Sequence, residues 1–325
     1  IASCLVGSEM CIRDSSIRGS FTEYPVRRFY ASISSDEFLN KTIINPFRSL
    51  NNAVSDYNEI NKNFGENPFG EILSKISTKS KTIKKLLEKK TTSNSLEVKP
   101  KQIFLVVMES YDSWPLTEKY KDLNISNNLK SIGNKGISFM NFLPASYSTM
   151  NSFASIVTNI PYSGVNMSII GANKSYPSSI FKQFKTLGYQ TNFFYGGYLS
   201  WQNIKNFTKK QGVENVFGAG NISDSHGIWG VNDESLFEKV LAKVDDQKNS
   251  LNIILTTSFH SPYEIDVFSK GFPYSSKEEL PDKIKKIYDE GNLSIKALGH
   301  LWYADMAIGK FVKKAEKKYP NALFA

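Results

Sequence analysis

The chain has 325 residues, of which 40% are hydrophobic and 13% aromatic, and this is enough apolar material for one large or two ordinary well-packed domains. Such a composition excludes a chain that is disordered as a whole. The 40 Lys and Arg against 31 Asp and Glu give a net charge of +9. The excess is concentrated in one stretch, at Lys75, Lys79, Lys81, Lys84, Lys85, Lys89, Lys90, Lys99 and Lys101.

A lysine-rich stretch can bind the phosphates of nucleic acid, lie against anionic lipid headgroups, or form a solvated linker. No recognised nucleic-acid module and no aromatic stacking platform accompanies it, so nucleic acid is excluded as the partner. A solvated linker and a membrane surface remain open.

Residues 1–15 lack the basic start and apolar core of a signal peptide, and we interpret them as a non-native leader. Both cysteines, Cys4 and Cys11, fall within this leader. A core without thiols is typical of an oxidising compartment. No stretch reaches the roughly 18 to 20 apolar residues of a membrane helix, so a membrane anchor is expected upstream of Ile1.

Residues 16–100 are rich in Asn and Lys, and their pattern predicts a helical stalk. Apolar residues recur there at helical spacing, which predicts that part of the stalk packs an amphipathic face on the domain that follows. These residues are Phe38, Leu39, Ile43, Ile44, Phe47, Leu50 and Val54.

From residue 101 the pattern changes to strands alternating with helices, which predicts an α/β sandwich around a mainly parallel sheet. Strands are predicted at 103–108, 136–142, 190–195, 213–217 and 251–257, with the start of a further strand at 321–325. Helices are predicted at 150–158, 178–187, 201–210, 233–244 and 288–318. The break at Ala325 inside an apolar strand predicts that the domain is incomplete at its C-terminus.

Three positions could carry chemistry at the carboxyl edge of this sheet, where functional groups of parallel sheets gather. Glu109 ends the first strand and could bind a divalent metal, although a surface or helix-capping acid fits equally. Ser148 and Thr149 precede a helix, where one hydroxyl could be a nucleophile or an ordinary N-cap. His260 follows the last complete strand.

Six segments together resemble, in order, the motifs of lipoteichoic acid synthases and related phosphoglycerol transferases of the alkaline phosphatase superfamily. They are IFLVVMESYDSW, FMNFLPASYSTMNSFASI, NFFYGGYLSWQNIKNF, GIWGVNDESLFEKV, TTSFHSPYE and HLWYADMAIGKFVKK. The resemblance implies an alkaline-phosphatase or sulfatase-like three-layer sandwich over residues 101–325. It also implies a catalytic domain held outside the bacterial cell membrane.

The same resemblance implies a divalent metal, with Mn²⁺ expected and Zn²⁺ or Mg²⁺ as alternatives, and a lipid-linked or glycan phosphodiester substrate. Glu109 matches a metal ligand, and Thr149 matches the threonine that binds the metal and takes up the phosphoglycerol group. His260 and Trp201 match substrate-binding positions. Asp233 matches a recurrent position whose acid is expected to cap a helix.

The sequence departs from this family at the substrate site. Tyr195, Gly197 and Asn203 stand where the family has a histidine, an aspartate and an arginine that hold glycerophosphate, so a different headgroup is possible. The family's Asp-His metal ligands would follow residue 325, so the chain as given is expected to hold an incomplete metal site and to be inactive. Cys-x-Pro-x-Arg is absent, which argues against a formylglycine sulfatase.

The sequence therefore predicts a metal-dependent transferase of phosphoglycerol or a related headgroup that uses a covalent threonine. A sulfatase or phosphodiesterase on the same fold is the first alternative, and a non-catalytic domain that binds envelope polymers is the second. His226 and His300 are assigned no role, and Asp305 is expected to cap or pair within its own helix.

Overall fold

The structure is a computed structural model. It describes residues 15, 18–20, 26, 39, 42–64, 99–139, 142–162, 164, 166–169, 173–223, 227–288 and 293–325. Nearly all of the expected leader, His226, and the lysines from Lys75 to Lys90 lie outside the described residues.

Nine α-helices and five strands are found in the described residues. The helices are α1 (Pro46–Phe64), α2 (Asn127–Gly133), α3 (Thr149–Thr158), α4 (Ile180–Thr186), α5 (Ile204–Lys210), α6 (Ala219–Ile222), α7 (Asp233–Lys243), α8 (Asp282–Lys285) and α9 (Ile295–Lys318). The strands are β1 (Gln102–Val107), β2 (Gln190–Tyr195), β3 (Asn215–Phe217), β4 (Ser250–Leu255) and β5 (Leu323–Phe324).

The five strands form one parallel sheet in the order β3-β2-β4-β1-β5. Strand β4 lies in the middle, paired with β1 on one side and with β2 on the other, and Ser250 is level with both Gln102 and Gln190. All six residues of β4 are buried. This agrees with the unbroken apolar pattern expected of a central parallel strand.

Neighbouring residues of a strand point to opposite faces of a sheet, so each strand contributes to two hydrophobic layers. On one face Phe104, Phe194 and Ile254 pack with side chains of α7 and α9. On the other face their neighbours Ile103, Phe193 and Ile253 pack with side chains of α3, α4 and α5. The predicted three-layer α/β sandwich is therefore confirmed.

Most local predictions in the sandwich agree with the structure. β2 covers the predicted residues, and α3 begins one residue earlier than predicted. The last apolar run is indeed the start of a strand, because Leu323 and Phe324 pair with Ile103 and Phe104 of β1. Helix α9 begins at Ile295, later than predicted, after Ser294 accepts a hydrogen bond from the Ala297 N–H as its N-cap.

The predicted strand at 136–142 is wrong for its described residues, which form no strand. Ile137, Phe139 and Phe142 are exposed instead. The apolar pattern is suited to a strand, but a strand needs a neighbour for its backbone groups, and the described part of the chain offers none there.

The expected packing of the stalk is wrong for its exposed apolar side chains, whereas Ile43 and Ile44 are half-buried. Helix α1 leaves Phe47, Leu50 and Val54 between 49% and 64% exposed. Among the described residues, none of the helices is long and apolar enough to span a membrane.

Candidate active site

The carboxyl ends of β1 and β4 bring Glu109 and Thr149 together. Glu109 lies just past β1, and its N–H donates a hydrogen bond of 2.9 Å to Oγ1 of Thr256, just past β4. Thr149 is the first residue of α3, and its Oγ1 donates to Oε1 of Glu109 at 3.1 Å. Two residues that are 40 positions apart in the chain therefore share one hydrogen bond at the edge of the sheet.

The Glu109 carboxyl group is buried at this edge, with 8% of the residue exposed. Its Oε1 also accepts a hydrogen bond of 2.9 Å from the Ser110 hydroxyl. Burial raises the pKa of Glu109, while the Ser110 hydrogen bond, the charge of His260 and the Thr149 hydrogen bond each act to lower it. Glu109 is therefore a desolvated carboxylate within electrostatic reach of an imidazole.

His260 lies in the loop after β4, and its ring is fixed by two contacts. Nδ1 is 2.8 Å from the carbonyl oxygen of Ser261, and the ring centroid of Trp229 is 3.8 Å from that of the imidazole. Since a carbonyl oxygen only accepts, Nδ1 carries a hydrogen in this bond, which leaves Nε2 for a substrate. The sequence predictions missed Trp229, although it stands in the motif GIWGVND.

Asp233 fixes the start of the same loop. Its Oδ1 accepts hydrogen bonds from Oγ of Ser258 at 2.7 Å, the N–H of Ser258 at 3.2 Å and the N–H of Thr257 at 3.4 Å. The expectation that Asp233 caps a helix is wrong, because Asn232 is the N-cap of α7 and accepts from the N–H of Ser235. Capping needs a side chain at the non-helical position before the first turn, and Asp233 is already inside the helix.

The second carboxyl oxygen of Asp233, Oδ2, is buried and has no hydrogen-bond partner among the described residues. Burial raises the pKa of Asp233 to about 6, against the opposing effect of its hydrogen bonds to Ser258 and Thr257. The negative charge of Glu109 raises it further, so the two acids are electrostatically coupled.

Two aromatic side chains connect the site to β2. Tyr195 is 4% exposed, and its pKa is raised by burial and by the charge of Glu109. The Trp201 ring is 6.0 Å from the Tyr195 ring, centroid to centroid. Gly197 is required here, because a Cβ on it would lie 2.4 Å from the Tyr195 ring. Trp201 thus packs beside Tyr195, whose pKa is affected by the charge of Glu109.

Asn203 has structural partners, whereas the Ser148 side chain makes no capping bond. Asn203 donates from Nδ2 to the Ser168 carbonyl at 3.1 Å and accepts at Oδ1 from Asn206 at 2.8 Å. Ser148 occupies the N-cap position of α3, but its side chain makes no capping bond. The first amides of α3 are consequently not satisfied by the Ser148 hydroxyl.

His300 and Asp305 serve the fold away from the site. His300 Nδ1 is 2.8 Å from the Lys296 carbonyl, and its Nε2 accepts from the Ile265 N–H at 3.1 Å. Asp305 accepts from the N–H groups of Asn128 and Leu129 at 3.0 and 2.8 Å. Asp305 therefore caps α2, and the expectation that it caps or pairs within its own helix is wrong.

The donors at the carboxyl edge suit a hard divalent cation. Glu109 offers a desolvated carboxylate and Thr149 a hydroxyl, and both are oxygen ligands. Among the described residues, no group of three or more His, Cys, Asp or Glu is arranged to hold a metal ion. These residues therefore fit part of a metal site, with two ligands from this part of the chain.

Several solved structures have a fold similar to that of this chain. A protein in the alkaline phosphatase superfamily from Vibrio parahaemolyticus matches with a TM-score of 0.54 and 23% identity, over 70% of this chain and 54% of that one. The lipoteichoic acid synthase LtaP of Listeria monocytogenes matches with a TM-score of 0.56 and 18% identity, over 69% of this chain and 54% of that one.

The C-terminal periplasmic domain of EptC from Escherichia coli matches with a TM-score of 0.51 and 15% identity, over 69% of this chain and 62% of that one. The chain thus spans between 54% and 62% of the length of these three structures. The sulfatase family model matches residues 101–325, and the chain belongs to that family.

Proposed function

We propose that this chain is the catalytic domain of a bacterial cell-envelope enzyme that transfers a phosphoglycerol or related phosphodiester headgroup through a covalent bond to Thr149. The observation that carries the proposal is the 3.1 Å hydrogen bond from Thr149 Oγ1 to Glu109 Oε1 at the first turn of α3. Membership of the sulfatase family and the fold shared with a lipoteichoic acid synthase support it.

A divalent cation completes the proposed site, with Mn²⁺ as the expected ion and Zn²⁺ or Mg²⁺ as alternatives. Glu109 and Thr149 would hold it. Such an ion would lower the pKa of the threonine hydroxyl and offset the charge that builds up on the phosphoryl oxygens.

The residues of the chain perform the remaining steps. Thr149 directs its hydroxyl hydrogen to Glu109, so that an oxygen lone pair can attack phosphorus while the proton leaves toward the carboxylate. The Thr149 Oγ1–P bond forms and the bond from phosphorus to the leaving oxygen breaks. That oxygen takes a proton from Nε2 of His260 in its imidazolium form, in which both ring nitrogens carry a hydrogen, and the ring becomes the neutral Nδ1–H form.

The second step reverses the first with a different alcohol. The acceptor hydroxyl gives its proton to Nε2 of His260 and attacks phosphorus, which breaks the Oγ1–P bond. Oγ1 recovers its proton from the side of Glu109. The first turn of α3, whose amides point toward the bound group, stabilises the negative phosphoryl oxygens in both steps.

The residues at the substrate positions also allow a phosphodiester headgroup other than phosphoglycerol. Both polar ends of the Asn203 side chain are already bonded within the chain, and Tyr195 is buried. Neither supplies the paired donors with which an arginine binds phosphate. Trp201, beside Tyr195, would line this headgroup pocket.

The nucleophile is tested in the full-length protein with Thr149→Ala and Thr149→Ser, using a phosphatidylglycerol donor in the presence of Mn²⁺. Thr149→Ala should lose the covalent phosphoglycerol adduct seen by intact-protein mass spectrometry, and about three or more powers of ten in turnover, roughly 4 kcal/mol. Thr149→Ser should keep a measurable part of both.

Ser155→Ala is the matched control, since this hydroxyl also lies on α3 but bonds to the Asn151 carbonyl at 3.1 Å. It should behave as the unchanged chain. Unchanged turnover in Thr149→Ala would eliminate Thr149 as the nucleophile.

Product analysis separates transfer from hydrolysis. Lengthened acceptors indicate a transferase, whereas free glycerophosphate or a sulfate product without chain growth indicates the hydrolase alternative. The cation is tested by calorimetric titration of the full-length protein with Mn²⁺: Glu109→Gln should abolish binding, and Glu118→Gln, a change at an exposed glutamate, should not. A chain that binds anionic polymer but neither forms an adduct nor turns over donor would favour the non-catalytic alternative.

A further inference from the structure

One carbonyl oxygen connects two rings at the candidate site. The carbonyl of Ser261 accepts from the indole Nε1–H of Trp229 at 2.6 Å and from Nδ1 of His260 at 2.8 Å. The two rings are themselves in contact, with centroids 3.8 Å apart and planes inclined by 42°. The indole thus bonds to the group that holds the imidazole and also packs against the imidazole itself.

Trp229 is presented by a short, well-anchored turn. Gly227 and Gly230 exchange two backbone hydrogen bonds, of 2.7 and 3.1 Å, around it. The turn is joined to the end of β2 by the N–H of Val231, which donates to the Gly196 carbonyl at 2.8 Å. Gly230 has a φ of +124°, and a Cβ there would lie 2.1 Å from the Gly196 oxygen, so only glycine fits.

Two side chains fasten this turn to its surroundings. The N–H of Ile228 donates to Oε2 of Glu264 at 2.9 Å, which ties the turn to the loop that contains His260. The Tyr198 hydroxyl donates to the Gly227 carbonyl at 2.8 Å. The position of the indole is therefore set before any substrate binds.

We propose that Trp229 is a positioning residue for His260, which keeps the imidazole in the Nδ1–H form and presents Nε2 to the oxygen of the leaving or accepting group. This role rests on the proposed function, in which Nε2 exchanges a proton with those oxygens. The hydrogen bond made at one imidazole nitrogen decides the state of the other. The indole face also covers one side of the ring and is attractive to its protonated form.

Two substitutions of Trp229 separate the two contributions of the indole. Phenylalanine in place of Trp229 keeps a ring over His260 but has no N–H for Ser261, whereas alanine has neither. A tryptophan that only filled space at the surface would leave the tautomer of His260 unchanged in both variants.

The test is long-range ¹H–¹⁵N NMR on the full chain labelled with ¹⁵N-histidine. The chain has three histidines, and His260→Asn identifies the imidazole signals of His260. In the unchanged chain, neutral His260 should show a protonated Nδ1 and an unprotonated Nε2. Trp229→Ala should lose the excess of the Nδ1–H form, and Trp229→Phe should lose part of it. Trp114→Phe, which replaces a tryptophan packed on Tyr120, is the control and should leave the signal unchanged.

An unchanged His260 spectrum in both Trp229 variants would overturn the proposal, and so would an equal change in Trp114→Phe. Should Trp229→Ala fail to fold, Trp229→Phe decides alone. Turnover of the full-length protein is the second readout: Trp229→Ala should lower kcat by roughly 10- to 100-fold with a smaller change in KM. If no variant, including the unchanged chain, transfers a headgroup, the proposed function fails while the NMR result still decides the role of Trp229.

Discussion

At Asp233 the requirements of burial and charge oppose each other. The residue is 1% exposed, and one of its oxygens accepts three hydrogen bonds while the other has no partner among the described residues. An ionised carboxylate in that position loses more hydration than its hydrogen bonds return. The native state therefore favours the protonated acid more than the unfolded chain does.

This conflict predicts how stability changes with pH. The acid ionises near 3.8 when unfolded and near 6 when folded, so between these values the native state binds more protons. Asp233 then stabilises the fold below pH 3.8, and this contribution is lost as pH rises through 6, by about 3 kcal/mol. Urea unfolding at pH 4 and at pH 7 measures this. Between these two pH values, the free energy of unfolding of the unchanged chain should fall by about that amount more than the free energy of unfolding of Asp233→Asn.

The control for this prediction is Asp282→Asn, because the Asp282 side chain is 92% exposed. Its pH dependence should follow that of the unchanged chain. Parallel pH dependence in Asp233→Asn and the unchanged chain would contradict the prediction.

The sequence indicated that Asp233 stands at the start of a helix but could not indicate its partner. An acid in the first helical turn is typical of a cap, and the better cap, Asn232, is its neighbour. The actual partner, Ser258, is 25 residues away along the chain and is reached only when α7 lies over the end of β4. The same holds for Trp229 and Ser261, which are 32 residues apart.

At the scale of elements, a row of three asparagines, two of them buried and one half-buried, crosses three strands. Asn215, Asn192 and Asn252 are level with one another on β3, β2 and β4. Asn215 donates to Asn192 at 2.9 Å, Asn192 donates to Asn252 at 2.8 Å, and Asn252 donates to the Ile103 carbonyl of β1 at 3.2 Å. Because each amide needs its neighbour, a register shift would leave several buried polar groups unpaired.

We predict that Asn192→Leu, at the middle of this row, destabilises the fold by on the order of 3 kcal/mol. The leucine would leave the Asn252 oxygen and the Asn215 amide without their partners, and each such group costs about 1 to 3 kcal/mol. Guanidinium unfolding measures the change. Asn127→Leu, at an exposed position of α2, is the control and should change the free energy of unfolding by less than about 0.5 kcal/mol.

The local sequence pattern was sufficient to predict those elements whose apolar residues pack in the sheet or on its faces. Strand β4 and helix α3 followed directly from their periodicity. The segment 136–142 has an equally good apolar pattern but forms no strand in its described residues. Whether a segment becomes a strand also depends on a neighbouring strand to pair with, and a local pattern contains no information about that neighbour. The strand order likewise depends on contacts between distant segments, and the sequence predicted a parallel sheet without predicting its order.

At the scale of the whole molecule, helix α9 connects two hydrophobic clusters. Ile308 and Phe311 pack on the sheet with Phe104, whereas Leu298 and Leu301, nearer its start, pack with the loops between β4 and α9. Those loops include the segment that follows His260. The helix therefore holds the substrate side of the proposed site against the main core.

The N-terminal helix α1 makes no comparable contribution to the core. Its apolar side chains Phe47, Leu50 and Val54 are between 49% and 64% exposed. Residues 100 and 101 contact the sandwich directly: the Pro100 carbonyl accepts from the Tyr189 hydroxyl at 2.7 Å and the Lys101 carbonyl from the Ser250 N–H at 2.8 Å. A chain that begins at residue 99 keeps both contacts.

We therefore predict that residues 99–325 unfold with a free energy within about 1 kcal/mol of that of the full chain, because most of the hydrophobic stabilisation comes from area buried inside the sandwich. Urea unfolding of the two chains at one pH measures this. In the full chain, Leu50→Asn with Val54→Asn should also leave the free energy of unfolding unchanged. A loss of about 3 kcal/mol on truncation would require roughly 120 Å² of apolar surface buried between the two parts. Because these side chains are exposed in the structure, such a loss would mean that α1 packs on the sandwich in solution.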